Sequence, residues 1–173
     1  QVAEVLAPIA EYPEIQFSLK MRLGWENASE CMVLVELLNA IRLSRIALHA
    51  RTGKQQYKGH PDLEAFQGFY ELCQHPLYYN GGIESLSDIR QILIRFPLLK
   101  GVFIGRGLLS SPLLAKEFKG NETFLPEQRM SIYFAFHEEL FSAYSQVLQG
   151  ETQLLVKMKT LWEYFLPETD RKL

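Results

Sequence analysis

Apolar positions along the chain follow two alternating rhythms. Val2, Val5, Leu6 and Ile9 stand at helical spacing within residues 1–12, and Pro13 ends that segment. Residues 15–23 (IQFSLKMRL) read as a strand. Asn27, with Glu30 three residues on, predicts a capping box for a helix whose buried stripe is Leu34, Leu37, Leu38 and Ile41. Residues 45–50 (RIALHA) predict a second strand, followed by the polar loop RTGKQQYKG. Residues 62–74 predict a helix with Leu63, Phe66, Phe69 and Tyr70 inward. Residues 76–80 (PLYYN) predict a third strand that ends at Gly81 and Gly82. Ser85 and Asp88 are the predicted caps of a helix carrying Ile89, Ile92, Leu93 and Phe96. Residues 101–104 (GVFI) predict a fourth strand, ending in GRG.

Strands and helices in strict alternation, with apolar strands, imply parallel β-α units. Two architectures fit: an open doubly wound sheet and a (β/α)8 barrel. After about residue 115 the pattern turns wholly helical. Residues 127–149 place Tyr133, Phe136, Leu140, Phe141, Tyr144 and Val147 on one face. Residues 152–166 carry Leu154, Leu155, Met158, Leu161, Trp162 and Phe165 at helical spacing, and Gly150 separates the two. This predicts an antiparallel helical pair. The expected division is therefore an α/β domain over residues 1–119 and an all-helical domain over residues 120–173.

Composition narrows the function classes. The 173 residues carry 18 basic and 20 acidic side chains, which excludes a globally cationic nucleic-acid binder but leaves room for a local basic groove. No apolar run reaches the roughly 18 residues of a membrane span, so no membrane partner is expected. The two cysteines form neither a disulfide scaffold nor a CxxC spacing, and no histidine has a companion at ligand spacing, so no metal is assigned. A reducing cytoplasm is the expected location. The chain opens on Gln1 rather than Met, which suggests a processed or truncated start.

In parallel β-α folds ligands bind at the carboxyl ends of the strands. Here each such end is polar: Lys20 and Arg22, His49 and Arg51, Asn80-Gly81-Gly82, and Gly105-Arg106-Gly107. The glycines let backbone amides approach an anion, and Arg106 can fork onto its oxygens. The alternative is that they only make tight turns. Lys20 interrupts an apolar strand, which asks for a ligand or for a solvated edge. His49 is suited to a base or flavin contact, or to a hydrogen-bonded core position. Arg51, Lys54 and Lys58, interleaved with Tyr57, suit RNA or an ordinary exposed loop. Lys157 and Lys159 add charge on the last helix. Cys31 and Cys73 read as packing residues.

Four strings in order, SLKMRLGW, LHARTGKQQYKG, YYNGGI and GVFIGRGLLSSPLL, resemble the tRNA-dihydrouridine synthases over nearly the whole chain. The resemblance implies a flavin-binding (β/α) barrel followed by a small helical tRNA-binding domain. It implies FMN as cofactor, NADPH as reductant and tRNA uridine as substrate. Carried over residue by residue, Lys20 corresponds to the lysine at the pyrimidine edge of the flavin and His49 to the histidine beside it. Asn80, Gly81 and Gly82, with Gly105 and Arg106, correspond to the phosphate loops. Arg51, Lys54 and Lys58, with Lys157 and Lys159 on the tail, would face the RNA.

Two departures from the family pattern are small: Gly82 stands where an acidic residue is common, and Gly53 where a basic one is common. The third is large. The family's catalytic Asn-x-x-Cys-Pro-like loop is absent, so no catalytic residue is assigned. Four predicted strands also fall short of a barrel's eight. The chain therefore reads as the last four β-α units of the barrel plus the tail, inactive alone. Self-association or pairing with the missing N-terminal half is expected from the raw sheet edges. The competing readings are a non-catalytic RNA- or phosphate-binding half-barrel, and an FMN barrel acting on a small molecule.

Overall fold

The computed structural model describes residues 2–165. Gln1 and Leu166, which bound two of the predicted helices, lie outside the described residues, as does the rest of the expected domain beyond Leu166. The chain packs as two compact units. One holds the described residues up to Ile83 together with Ser87–Ile104; the other holds Glu84–Leu86 and the chain from Gly105 on.

The first unit opens with α1 (Val2–Leu6), which tightens into a 3-10 turn over Ala7–Glu11. Pro8 explains why the predicted single helix divides: it lacks the N–H that would continue the α-helical ladder. There follow β1 (Ser18–Gly24), α2 (Glu30–Asn39), β2 (Arg45–Thr52), α3 (Leu63–Leu72), β3 (Leu77–Asn80), α4 (Leu86–Arg95) and β4 (Gly101–Phe103). All neighbouring strands pair in parallel, in the order β1-β2-β3-β4. A doubly wound sheet reverses its strand order at a switch point, whereas a barrel adds each strand beside the last. The sequential order therefore belongs to an arc of a (β/α) barrel.

Register sorts the side chains onto two faces, because paired residues of a parallel ladder share a face. Met21, Leu48, Tyr79 and Val102 align across the sheet, as do Leu19, Ile46 and Leu77. This apolar face meets the helices. Phe66 of α3 is fully buried and stands edge-on to Tyr79 and to Phe96, with both centroid separations 5.0 Å. Such pairs add about 0.5–1.5 kcal/mol each beyond area burial. Asp62 caps α3, its carboxylate accepting from the Ala65 amide at 2.9 Å.

Helix α2 departs from expectation. It starts at Glu30 after Ser29, and its buried residues are Cys31, Val35 and Leu38 rather than the Leu34, Leu37 and Ile41 stripe. The reason lies in Glu30. Its carboxylate accepts the amides of Trp25, Glu26 and Asn27 at 2.8, 3.0 and 2.8 Å. The acidic side chain thus closes the preceding turn, and Asn27 becomes part of that turn instead of a helix cap.

In the second unit, α5 (Arg106–Ser110) and α6 (Leu114–Gly120) precede α7 (Pro126–Val147) and α8 (Glu151–Phe165). Because α5 packs against α8, the unit begins at Gly105, earlier than the division expected at residues 119/120. No residue of α7 is buried. Phe141 and Val147, expected inside, are exposed, and so is Leu155 of α8. Met158 is buried, and Trp162 meets His137 at 5.1 Å. Glu117 is buried and ion-paired with Arg129.

Candidate functional site

The second face of the sheet is polar. Lys20, Ala47, Tyr78 and Gly101 align in one row; Arg22, His49, Asn80 and Phe103 align in the next. Lys20 is exposed, while His49 is 7% exposed. Arg22 donates through Nη1 to the Thr52 carbonyl at 2.7 Å. The Asn80 amide nitrogen donates to the Phe103 carbonyl at 2.9 Å, tying β3 to β4. Tyr78 meets Phe103 edge-on at 5.6 Å. Cations, an imidazole, an amide and two rings thus share one face of the sheet.

At the end of β3 the backbone turns through Gly81 (φ +142°) and Gly82 (φ +57°). A side chain at either position would be strained. A Cβ at Gly82 would also come within 3.1 Å of Pro61. The turn borders an open depression of ≈ 350 Å³ lined by His60, Pro61, Tyr79 and Arg95 among others. Arg95 is itself held by Glu64 at 2.5 Å. Burial pushes the Tyr79 hydroxyl up to about 12, against a smaller opposing pull from Arg51.

The predicted RNA loop is internally built. Arg51 is 4% exposed and donates to the Lys58 carbonyl at 2.6 Å, so its guanidinium braces the loop from within. Gln55 donates to the carbonyls of Lys58 and His60 at 2.9 and 2.8 Å. Lys54 pairs with Glu26 at 2.5 Å and stays exposed, as does Lys58.

The structure brings Lys20, His49 and Asn80 onto one face and puts Gly81 and Gly82 at its edge. Gly105, Arg106, Lys157 and Lys159 belong to the other unit. There Gly105 precedes α5, Arg106 is exposed, Lys157 stands 5.5 Å over the Tyr144 ring, and Lys159 is exposed. Both cysteines lie off the polar face. Cys31 is buried, donates to the Ala28 carbonyl at 3.1 Å, and has its thiol pushed up to about 11 by burial. Burial raises the Cys73 thiol as well. Among the described residues no three His, Cys, Asp or Glu side chains form a metal cluster, and no helix is long and apolar enough to cross a membrane.

Arg22, Tyr78 and Phe103 join the polar face, and Trp25 stands at the loop beyond β1, without a motif of their own to mark them. Strand parity with Lys20, His49 and Asn80 was the signal available for Arg22, Tyr78 and Phe103.

A family model described as dihydrouridine synthase matches residues 1–169. The chain belongs to the dihydrouridine synthase family. A probable tRNA-dihydrouridine synthase of Rhizobium leguminosarum is 35% identical over 100 residues, 57% of this chain and 31% of that protein. One of Aquifex aeolicus is 34% identical over 119 residues, 69% of this chain and 36% of that protein. The tRNA-dihydrouridine synthase B of Vibrio vulnificus is 24% identical over 130 residues, 73% and 40% of the two chains. The chain thus spans between about a third and a half of the dihydrouridine synthases it matches.

Proposed function

We propose that this chain is the flavin-holding, tRNA-facing portion of a tRNA-dihydrouridine synthase that works in the cytoplasm. The observation that carries the reading is the polar sheet face. A flavin needs a cation at its pyrimidine edge, a hydrogen-bonding wall and a glycine turn for its phosphate. Lys20, then His49 and Asn80, then Gly81 and Gly82 supply these in register order. FMN, reduced by NADPH, would supply the hydride that saturates the C5=C6 bond of a tRNA uridine.

The protein's own work follows from the side chains. Lys20 presents a fixed positive charge where electron density accumulates, which lowers the energy of the charged state. His49, nearly buried, holds its ring in one orientation on the same face. The glycine turn exposes backbone amides to an anion. The resemblance adds Gly105 and Arg106 as phosphate contacts, and Arg51, Lys54, Lys58, Lys157 and Lys159 as the RNA-facing set. Arg51 acts in that set by shaping the loop that presents Lys54 and Lys58. Among the described residues no further strand pairs with the outer edges of β1 and β4, which supports their completion by further strands.

A second reading, a non-catalytic RNA- or phosphate-binding half-barrel, is favoured by one observation. Neither thiol lies on the polar face, and burial holds both protonated. Both readings predict that these 173 residues with FMN, NADPH and a tRNA transcript yield no dihydrouridine. They part on cofactor retention. The chain incubated with FMN and desalted should stay yellow; a colourless chain that still binds tRNA would support the second reading.

A further inference from the structure

Trp25 is 66% exposed, yet its ring lies against the backbone of a neighbouring loop. Its six-membered ring covers Gly53. A Cβ on Gly53 would fall 2.3, 2.9 and 3.1 Å from the indole Cε3, Cζ3 and Cδ2 atoms. Only a glycine lets the ring lie this close. The two loops are sewn together beneath it: Gly53 N–H donates to the Gly24 carbonyl at 2.7 Å, and Lys54 N–H to the Trp25 carbonyl at 2.9 Å. The Trp25 amide is held by Glu30, and Lys54 pairs with Glu26 across the same two loops.

A large aromatic ring left two-thirds open to water forgoes most of the stabilisation that burial would give it. Here one face is backed by Gly53 and the loop is already ordered, so little freedom remains to be lost on contact. The strands and loops that join here carry Lys20, Arg22, Arg51, Lys54 and Lys58 against Glu26 and Glu30; Arg51 is buried and Lys54 is paired with Glu26, while Lys20 and Lys58 are exposed. An exposed flat ring on elements that carry more cations than carboxylates suits a nucleotide, whose base has a π-face and whose backbone carries the phosphate.

We propose that Trp25 is a stacking platform for a nucleobase of the RNA substrate. The inference rests on the reading of the chain as tRNA-facing, and names a contact within it. It also revises the expectation for Gly53: the missing basic side chain makes room for the indole, replacing an ionic contact by a stacking one.

The test uses the full chain with Trp162→Phe, which leaves Trp25 as its single tryptophan. An unmodified tRNA transcript is titrated at low salt while tryptophan emission is followed, with inorganic polyphosphate as a base-free control. Saturable quenching by tRNA is expected, with none by polyphosphate. In the otherwise unaltered chain, Trp25→Ala should weaken tRNA binding about tenfold and Trp25→Phe two- to threefold, with polyphosphate affinity unchanged. Binding of tRNA with unchanged Trp25 emission, or undiminished in Trp25→Ala, would overturn the platform while leaving the tRNA reading intact; the indole would then serve a protein partner. Equal losses for tRNA and polyphosphate would overturn it too, making Trp25 a brace for the loop. No tRNA binding by the unaltered chain would overturn both readings.

Discussion

Strand β2 and helix α7 are both rich in apolar residues, but they meet different fates. From Ile46 to Arg51 every residue of β2 is buried, including His49 and Arg51. Across the 22 residues of α7 none is. A central parallel strand has a neighbour on each side and helices over it, so even its polar side chains leave water. A helix with few neighbours buries only a stripe, and its remaining apolar residues stay wet. Apolar content alone therefore says little about burial; the number of neighbouring elements decides it. The polar groups placed among the buried residues of β2 are the ones whose chemistry the fold can tune.

The sharpest way to break this comparison is to remove one ring from each unit. Phe66→Ala should cost about 3–5 kcal/mol, since it empties a fully buried site shared with Tyr79 and Phe96. Phe141→Ala, on α7, should cost less than about 1 kcal/mol. Urea melts of the two variants check this; equal losses would mean that α7 is as well packed as the sheet.

The next effect concerns the one buried carboxylate of the helical unit's described residues. Arg129→Ala leaves Glu117 without its cation, and about 2–3 kcal/mol should be lost at neutral pH. A melt insensitive to the substitution would show that Glu117 is solvated through another route.

A smaller effect is alkaline. Cys31 and Tyr79 are held protonated by burial, their values raised from 9.0 to about 11 and from 10.0 to about 12. The folded chain keeps these protons where the unfolded chain releases them. The stabilisation is complete below pH 9 and is lost as pH rises towards 12. Cys31→Ala should remove the lower part of that slope and Tyr79→Phe the upper part, in melts taken at stepped pH. A slope unchanged in both variants would contradict the burial argument.

The smallest effect is local. Three amides of the Trp25 turn hold the Glu30 carboxylate below its ordinary value. Its contribution is present above pH 4.5 and lost as pH falls below it. Glu30→Gln should shift Trp25 emission at neutral pH with little change in the melt. Unaltered emission would mean that Gly53 alone positions the ring.

The β-α units were legible because a strand covered on both sides is written as a continuous apolar run, and because glycines mark its end. Lys20 could be named because it interrupts an apolar strand, and His49 and Asn80 from their places towards the carboxyl ends of theirs. Their shared face follows from the register, which no single strand reveals. The short helices α5 and α6 were not legible, since five to seven residues give no clear period. The exposed side of α7 was misread because its apolar residues span more of the helix than one neighbour can cover. The start of α2 was misread because a carboxylate at the first helical position can bond backward to a turn as readily as a box can form. The pairing of Trp25 with Gly53 was not legible, because they lie 28 residues apart and only the loop-to-loop hydrogen bonds bring them together.

The proposed role of Lys20, His49 and Asn80 is to make a flavin-holding face. It is tested most directly by titrating the chain into FMN and following the quenching of flavin fluorescence, alongside Lys20→Ala. Lys20 is exposed, so its removal should leave the fold intact, as a parallel melt would verify. Saturable quenching is expected from the unaltered chain and at least tenfold weaker binding from Lys20→Ala. Quenching that never saturates, or that Lys20→Ala reproduces in full, would contradict it.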